Sequence, residues 1–93
     1  MRIVGIRHKG VARLYERNDA SGIDSRMADK VRLQLGFLDA MTDSAELGRL
    51  PLWKPHRLSD GRWSFHVTAN WRLTFAADDA AGEVSSVDLE DYH

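Results

Sequence analysis

A chain of 93 residues with 43% hydrophobic and 29% charged residues has the composition of one small globular domain, residues 1–93, with room for a single core and a single site. It contains no cysteine, which excludes disulfides, thiolate metal centres and a thiol nucleophile. The formal net charge of -1 argues against a free-standing binder of naked nucleic acid, because such affinity rests on phosphate neutralisation.

The chain opens with Arg2 to Arg7, where Ile3, Val4 and Ile6 suit a brief strand. That apolar run is too short for a signal peptide, and no later segment is long enough to span a bilayer, so the expected setting is the cytoplasm without membrane contact. Val11, Leu14 and Tyr15 recur at helical spacing and predict a first helix from about His8 to Arg17, ended by Asn18-Asp19-Ala20-Ser21-Gly22. Asp24 or Ser25 can cap a second helix, in which Met27, Val31, Leu35, Leu38 and Met41 form one stripe. Asp43 and Glu46 have capping-box spacing and predict a single helical turn before Gly48. Pro51 and Pro55 bracket a stretch expected to be extended, with Trp53 free to stack on a base.

From Arg62 the period changes to two. Trp63, Phe65 and Val67 alternate with Ser64, His66 and Thr68, and after a turn at Asn70, Trp71, Leu73 and Phe75 alternate with Arg72, Thr74 and Ala76. These two strands read as a hairpin, and Asp78 to Glu83 turns the chain into a last strand over Val84 to Leu89. The expected fold class is α+β: two N-terminal helices packed on a mostly antiparallel sheet, in the order β-α-α-β-β-β.

Charge is segregated along this frame. From Arg49 to Arg72 five basic residues (Arg49, Lys54, Arg57, Arg62, Arg72) face Asp60 alone, whereas from Leu73 to His93 there are six acidic residues and no Lys or Arg. A local positive surface for phosphate is therefore compatible with the mean, with Lys54, Arg57 and Arg62 as the RNA-binding candidates. Three features could carry chemistry: Pro55-His56-Arg57 at the start of the sheet, Arg72 on the polar face of a strand, and Asp91-Tyr92-His93. Each alone also reads blandly, as a loop histidine, a surface ion pair to the acidic last strand, and a frayed end. Together they supply what cleaving RNA without a metal needs: a base near the 2′-OH, a cation beside the phosphate and a proton donor for the leaving oxygen. Arginine suits the phosphate because its planar fork meets two oxygens and stays charged. His8 and His66 are expected to be solvated or structural, while Trp63 and Trp71 fall on the core face. A metal site of His56, His93 and Asp91 has no ligand pair at helical spacing, so neither metal nor cofactor is expected.

The segments Ile6-Arg7-His8-Lys9-Gly10, Arg32-Leu33-Gln34-Leu35 followed by Leu38-Asp39-Ala40, Ala69-Asn70-Trp71-Arg72-Leu73-Thr74-Phe75 and Glu90-Asp91-Tyr92-His93 together resemble the HigB branch of the RelE toxin superfamily, in order over nearly the whole chain. The resemblance implies a RelE-like fold and ribosome-dependent cleavage of mRNA through attack of a 2′-OH on the neighbouring phosphodiester. It implies a helix-turn-helix HigA-type antitoxin as partner, and contact with operator DNA only through the toxin–antitoxin complex. The family's functional positions fall here on His56, Arg72, Asp91, Tyr92 and His93. One departure stands out: the family often shows His-Pro-Leu-Lys-Gly and a longer basic turn, whereas this chain has His56-Arg57-Leu58-Ser59-Asp60-Gly61 and then Arg62. Ser59 replaces a cation, and Arg57 and Arg62 are the candidates to substitute for it. Two other readings follow: a toxin-like domain with little nuclease activity whose role is antitoxin binding and operon autoregulation, and a ribonuclease acting on naked RNA.

Overall fold

The computed structural model describes residues 1–92; His93 lies outside the described residues. The strand over Arg2–Ile3 (β1) is followed by helices over Lys9–Arg17 (α1) and Ser25–Ala40 (α2), then by strands over His56–Arg57 (β2), Trp63–His66 (β3), Trp71–Asp78 (β4) and Glu83–Asp91 (β5). One five-stranded sheet has the order β1-β5-β4-β3-β2, antiparallel throughout except that β1 runs parallel to β5. The α+β class holds, with one strand more than expected: β2 is only two residues long, too short to carry a period.

Both helices begin on side-chain caps. His8 Nδ1 accepts from the Val11 N–H at 3.2 Å, and Asp24 accepts from the Arg26 N–H at 2.9 Å, each satisfying a donor that the first turn leaves open. Asn18, in the left-handed region at φ 53°, closes α1. A glycine is required at position 10, because a Cβ there would lie 2.7 Å from the carbonyl carbon of Gly22; α1 and the loop that follows it touch backbone to backbone. The predicted stripe of α2 is buried in full, from Met27 through Val31, Leu35 and Leu38 to Met41. It meets Phe65, Leu73, Phe75, Val84, Val87 and Leu89 of the sheet in one core, and each such side chain contributes about 1.5–3 kcal/mol. Trp63 and Trp71 pack against this core while only partly buried.

The capping box at Asp43 and Glu46 is formed and opens a 3-10 helix over Ser44–Arg49. The next segment departs from the expected extended form. Pro51–Trp53 makes a second 3-10 turn and Lys54 takes a left-handed conformation at φ 46°, which turns Trp53 inward. Its ring stands 5.8 Å from Phe37 and 5.2 Å from Phe65, so Trp53 is part of the hydrophobic packing and is not a free stacking platform. In the last strand a bulge interrupts the alternation: Thr74 pairs with Asp88 but Ala76 with Ser85, and Ser86 sits at φ 54°. The extra residue lets Val84 and Val87, three apart, both reach the core.

Candidate active site

Successive residues of a strand point to opposite faces. Phe65, Leu73 and Phe75 face the helices, and their neighbours Ser64, His66, Arg72 and Thr74 therefore face away. Register then places the polar residues: His56 opposite Ser64, Ser64 opposite Thr74, His66 opposite Arg72, and Arg72 opposite Glu90. The result is an open cleft of about 570 Å³ lined by Lys54, Pro55, His56, Ser64, His66, Arg72 and Tyr92. Among these lining residues are two cations and two imidazoles, and none is a carboxylate.

Arg72 is anchored through one nitrogen. Its Nη1 donates to the carbonyls of Thr68 at 2.8 Å and Trp71 at 3.1 Å, which among the described residues leaves the donors of Nη2 and Nε for an anion. The guanidinium carbon lies 5.9 Å from the Tyr92 ring centre, and Tyr92 is held by its own N–H, which donates to the Asn70 carbonyl at 2.6 Å. The acidic partner expected for Arg72 is taken elsewhere: Glu90 stands 3.6 Å from Arg62, and Arg72 makes no salt bridge among the described residues.

The other candidates are dispersed. Arg62 is bound to Asp60 at 2.8 Å and reaches the Thr74 hydroxyl at 3.4 Å; the Asp60 hydrogen bond, opposed by burial and assisted by Glu90, raises its pKa. Arg57 pairs with Trp63 across the strands, lies 5.1 Å over that ring and donates from Nε to the Gly61 carbonyl at 2.8 Å, on the face away from the cleft. Of the three basic candidates only Lys54 lines the cleft. Asp91 pairs with Trp71, one residue out of phase with Arg72 and Glu90, so it emerges on the helix-covered face. Ser59 is exposed in the β2–β3 turn. His93 lies outside the described residues. Among the described residues no three His, Asp or Glu side chains gather as a metal site, and no helix is long and apolar enough to cross a membrane.

His66 is the residue that sequence reasoning passed over. It lines the cleft half-buried, and burial first, then Arg72, Lys30 and Lys54, push its pKa below the ordinary histidine value. The signal was available: the turn at Asn70 sets the hairpin register, and that register puts His66 beside Arg72.

The domain thus has helices on one sheet face and an open cationic cleft of imidazole, guanidinium and phenol on the other. Residues 5–93 match the model of the HigB-like toxins, described as RelE-like toxins of the type II toxin-antitoxin system HigB, and the chain belongs to this family. It is 35% identical over 94 residues, covering 98% of this chain and 99% of the relative, to a Proteus vulgaris protein named endoribonuclease HigB.

Proposed function

We propose that the protein is a metal-independent endoribonuclease that cleaves mRNA on the ribosome in the cytoplasm and is neutralised by a helix-turn-helix HigA-type antitoxin. The observation that carries this reading is the meeting of His56, Arg72 and Tyr92 at one cleft on the open face of the sheet, together with the activity in the relative's name. In the proposed reaction His56 takes the proton of the 2′-hydroxyl, whose oxygen attacks the adjacent phosphorus. The Arg72 fork carries the charge that builds on the phosphate oxygens. The 5′-oxygen leaves with a proton from Tyr92 or His93, giving a 2′,3′-cyclic phosphate and a 5′-hydroxyl. Asp91 acts from beside the chain end, and contact with operator DNA runs through the antitoxin complex. With a net charge of -1, unaided affinity for RNA is low, and the ribosome supplies substrate orientation.

A second reading is a domain that binds antitoxin and tunes its operon with little cleavage. It draws on Ser59, on Arg57 being turned to the other face and on Arg62 being held by Asp60 and Glu90, which leaves Lys54 and Arg72 as the cations that line the cleft. Expression with and without the neighbouring reading frame, followed by mapping of mRNA 5′ ends, separates the two. New 5′ ends only in the absence of the antitoxin support cleavage; growth and 5′ ends unchanged at equal protein level support the regulatory role.

A further inference from the structure

His66 has no part in the reaction proposed above, yet its surroundings define what it can do there. It stands across from Arg72 in β3 and β4, and the adjacent pair is the hydrogen-bonded one, with the Val67 N–H donating to the Trp71 carbonyl at 3.0 Å. His66 and Arg72 are thus a non-hydrogen-bonded pair, the kind whose side chains come closest. The His66 backbone is fixed from behind, since its carbonyl accepts from Gln34 Nε2 at 2.9 Å. Gln34 is wholly buried in α2.

The imidazole is asymmetric. Nδ1 is buried and, like Oε1 of Gln34, has no hydrogen-bond partner among the described residues; with Nδ1 turned inward, Nε2 is the ring nitrogen on the cleft side. An imidazolium would put an N–H on Nδ1, which no acceptor meets among the described residues, amid Arg72 on β4, Lys30 on α2 and Lys54 before β2, whose charges oppose it; the neutral ring is favoured. A neutral ring carries one N–H, and a buried N–H without an acceptor is costlier than a buried lone pair. The proton therefore resides on Nε2. In that tautomer the basic lone pair is sealed in the protein, and the ring can donate into the cleft but cannot take a proton from a 2′-hydroxyl. An acceptor lying between Lys54 and Arg72 is best matched by an anionic oxygen.

We propose that His66 is a neutral hydrogen-bond donor to a phosphate oxygen of the bound RNA strand, completing with Arg72 and Lys54 a three-point phosphate seat. This rests on the reading of the cleft as an RNA site. The test uses the full chain and an uncleavable trinucleotide whose riboses are 2′-O-methylated. Imidazole nitrogen shifts of the free protein should show the His66 proton on Nε2 and no imidazolium at neutral pH. Affinity for the trinucleotide should fall about tenfold in His66→Ala, the loss expected for a hydrogen bond to a charged group, and stay within about threefold of wild type in His66→Gln, whose amide N–H replaces the ring's. Arg72→Ala should also weaken binding. A proton on Nδ1, an imidazolium at neutral pH, or His66→Ala binding as wild type while Arg72→Ala does not, sinks the assignment of His66 and leaves the cleft reading intact. If Arg72→Ala leaves binding unchanged, or wild type shows no binding even at the highest soluble trinucleotide concentration, where weak unaided affinity still registers, the cleft itself is misread and the seat falls with it.

Discussion

Leu73 and Phe75 on β4 point into the helix-covered face and are fully buried, whereas Arg72, one residue from Leu73, points into the open cleft. The first face is apolar and closed: Phe65 and Phe75 stand 5.0 Å apart, with Leu35 and Leu38 of α2 in the same core. The second is polar, and the Nη2 and Nε donors of Arg72 have no partner there among the described residues. The pleat separates, residue by residue, an apolar face that builds the core from a polar face that carries the candidate site. A change on one face should unfold the protein, and a change on the other should silence it while leaving it folded.

The largest effect expected is on the closed face. Phe75→Ala removes a fully buried ring and should cost about 3–5 kcal/mol, a large share of the stability of so small a domain; denaturant titration should show a sharply lowered midpoint. Arg72→Ala probes the other face. It should lower cleavage on ribosomes by about a hundredfold, with thermal stability unchanged and only part of the rate recovered by Arg72→Lys. An Arg72→Ala protein that unfolds, or a Phe75→Ala protein that stays stable yet inert, would break the division.

Smaller effects test the frame that holds both faces. Asp43→Ala removes the acceptor that meets the Ala45 N–H at 2.7 Å and should cost about 1 kcal/mol by denaturant titration, with cleavage by the folded fraction unaltered. The smallest concerns pH. The side-chain hydrogen bond from Arg26, then the backbone bond from the same residue, hold the Asp24 carboxyl down to about 2. A lowered folded-state pKa stabilises above the ordinary carboxylate value near 3.8, and the contribution is lost as pH falls from there through about 2. Asp24→Asn keeps a capping oxygen and should flatten only that acid segment of the stability curve.

The sequence carried the helices and the long strands because their periods are expressed over many residues: the α2 stripe and the alternations of β3 and β4 are read directly. Two-residue β2 has no period to read, and the inward turn of Trp53 is decided by Phe37 and Phe65, which are distant in sequence. The bulge at Ser86 is likewise a tertiary choice that brings Val84 and Val87 to one core. At the cleft, the polar-face position of Arg72 was accessible from alternation alone, whereas that of His56 is set by its pairing with Ser64. His66 was passed over because it was judged by residue type beside Ser64 and Thr68, without its cross-strand neighbour. Arg57, Arg62 and Asp91 were grouped by charge and proximity in sequence, which say nothing of the phase of a strand or of the ion pairs that occupy a guanidinium.

The proposed chemistry on the open face is 2′-hydroxyl attack without a metal. It is tested most directly by single-turnover cleavage of mRNA on programmed ribosomes, using a message with a single 2′-deoxy nucleotide at the mapped cleavage position. This one substitution should abolish cutting there, while the all-ribose message yields a 2′,3′-cyclic phosphate and a 5′-hydroxyl. Undiminished cutting of the 2′-deoxy message, with 5′-phosphate ends, would contradict it.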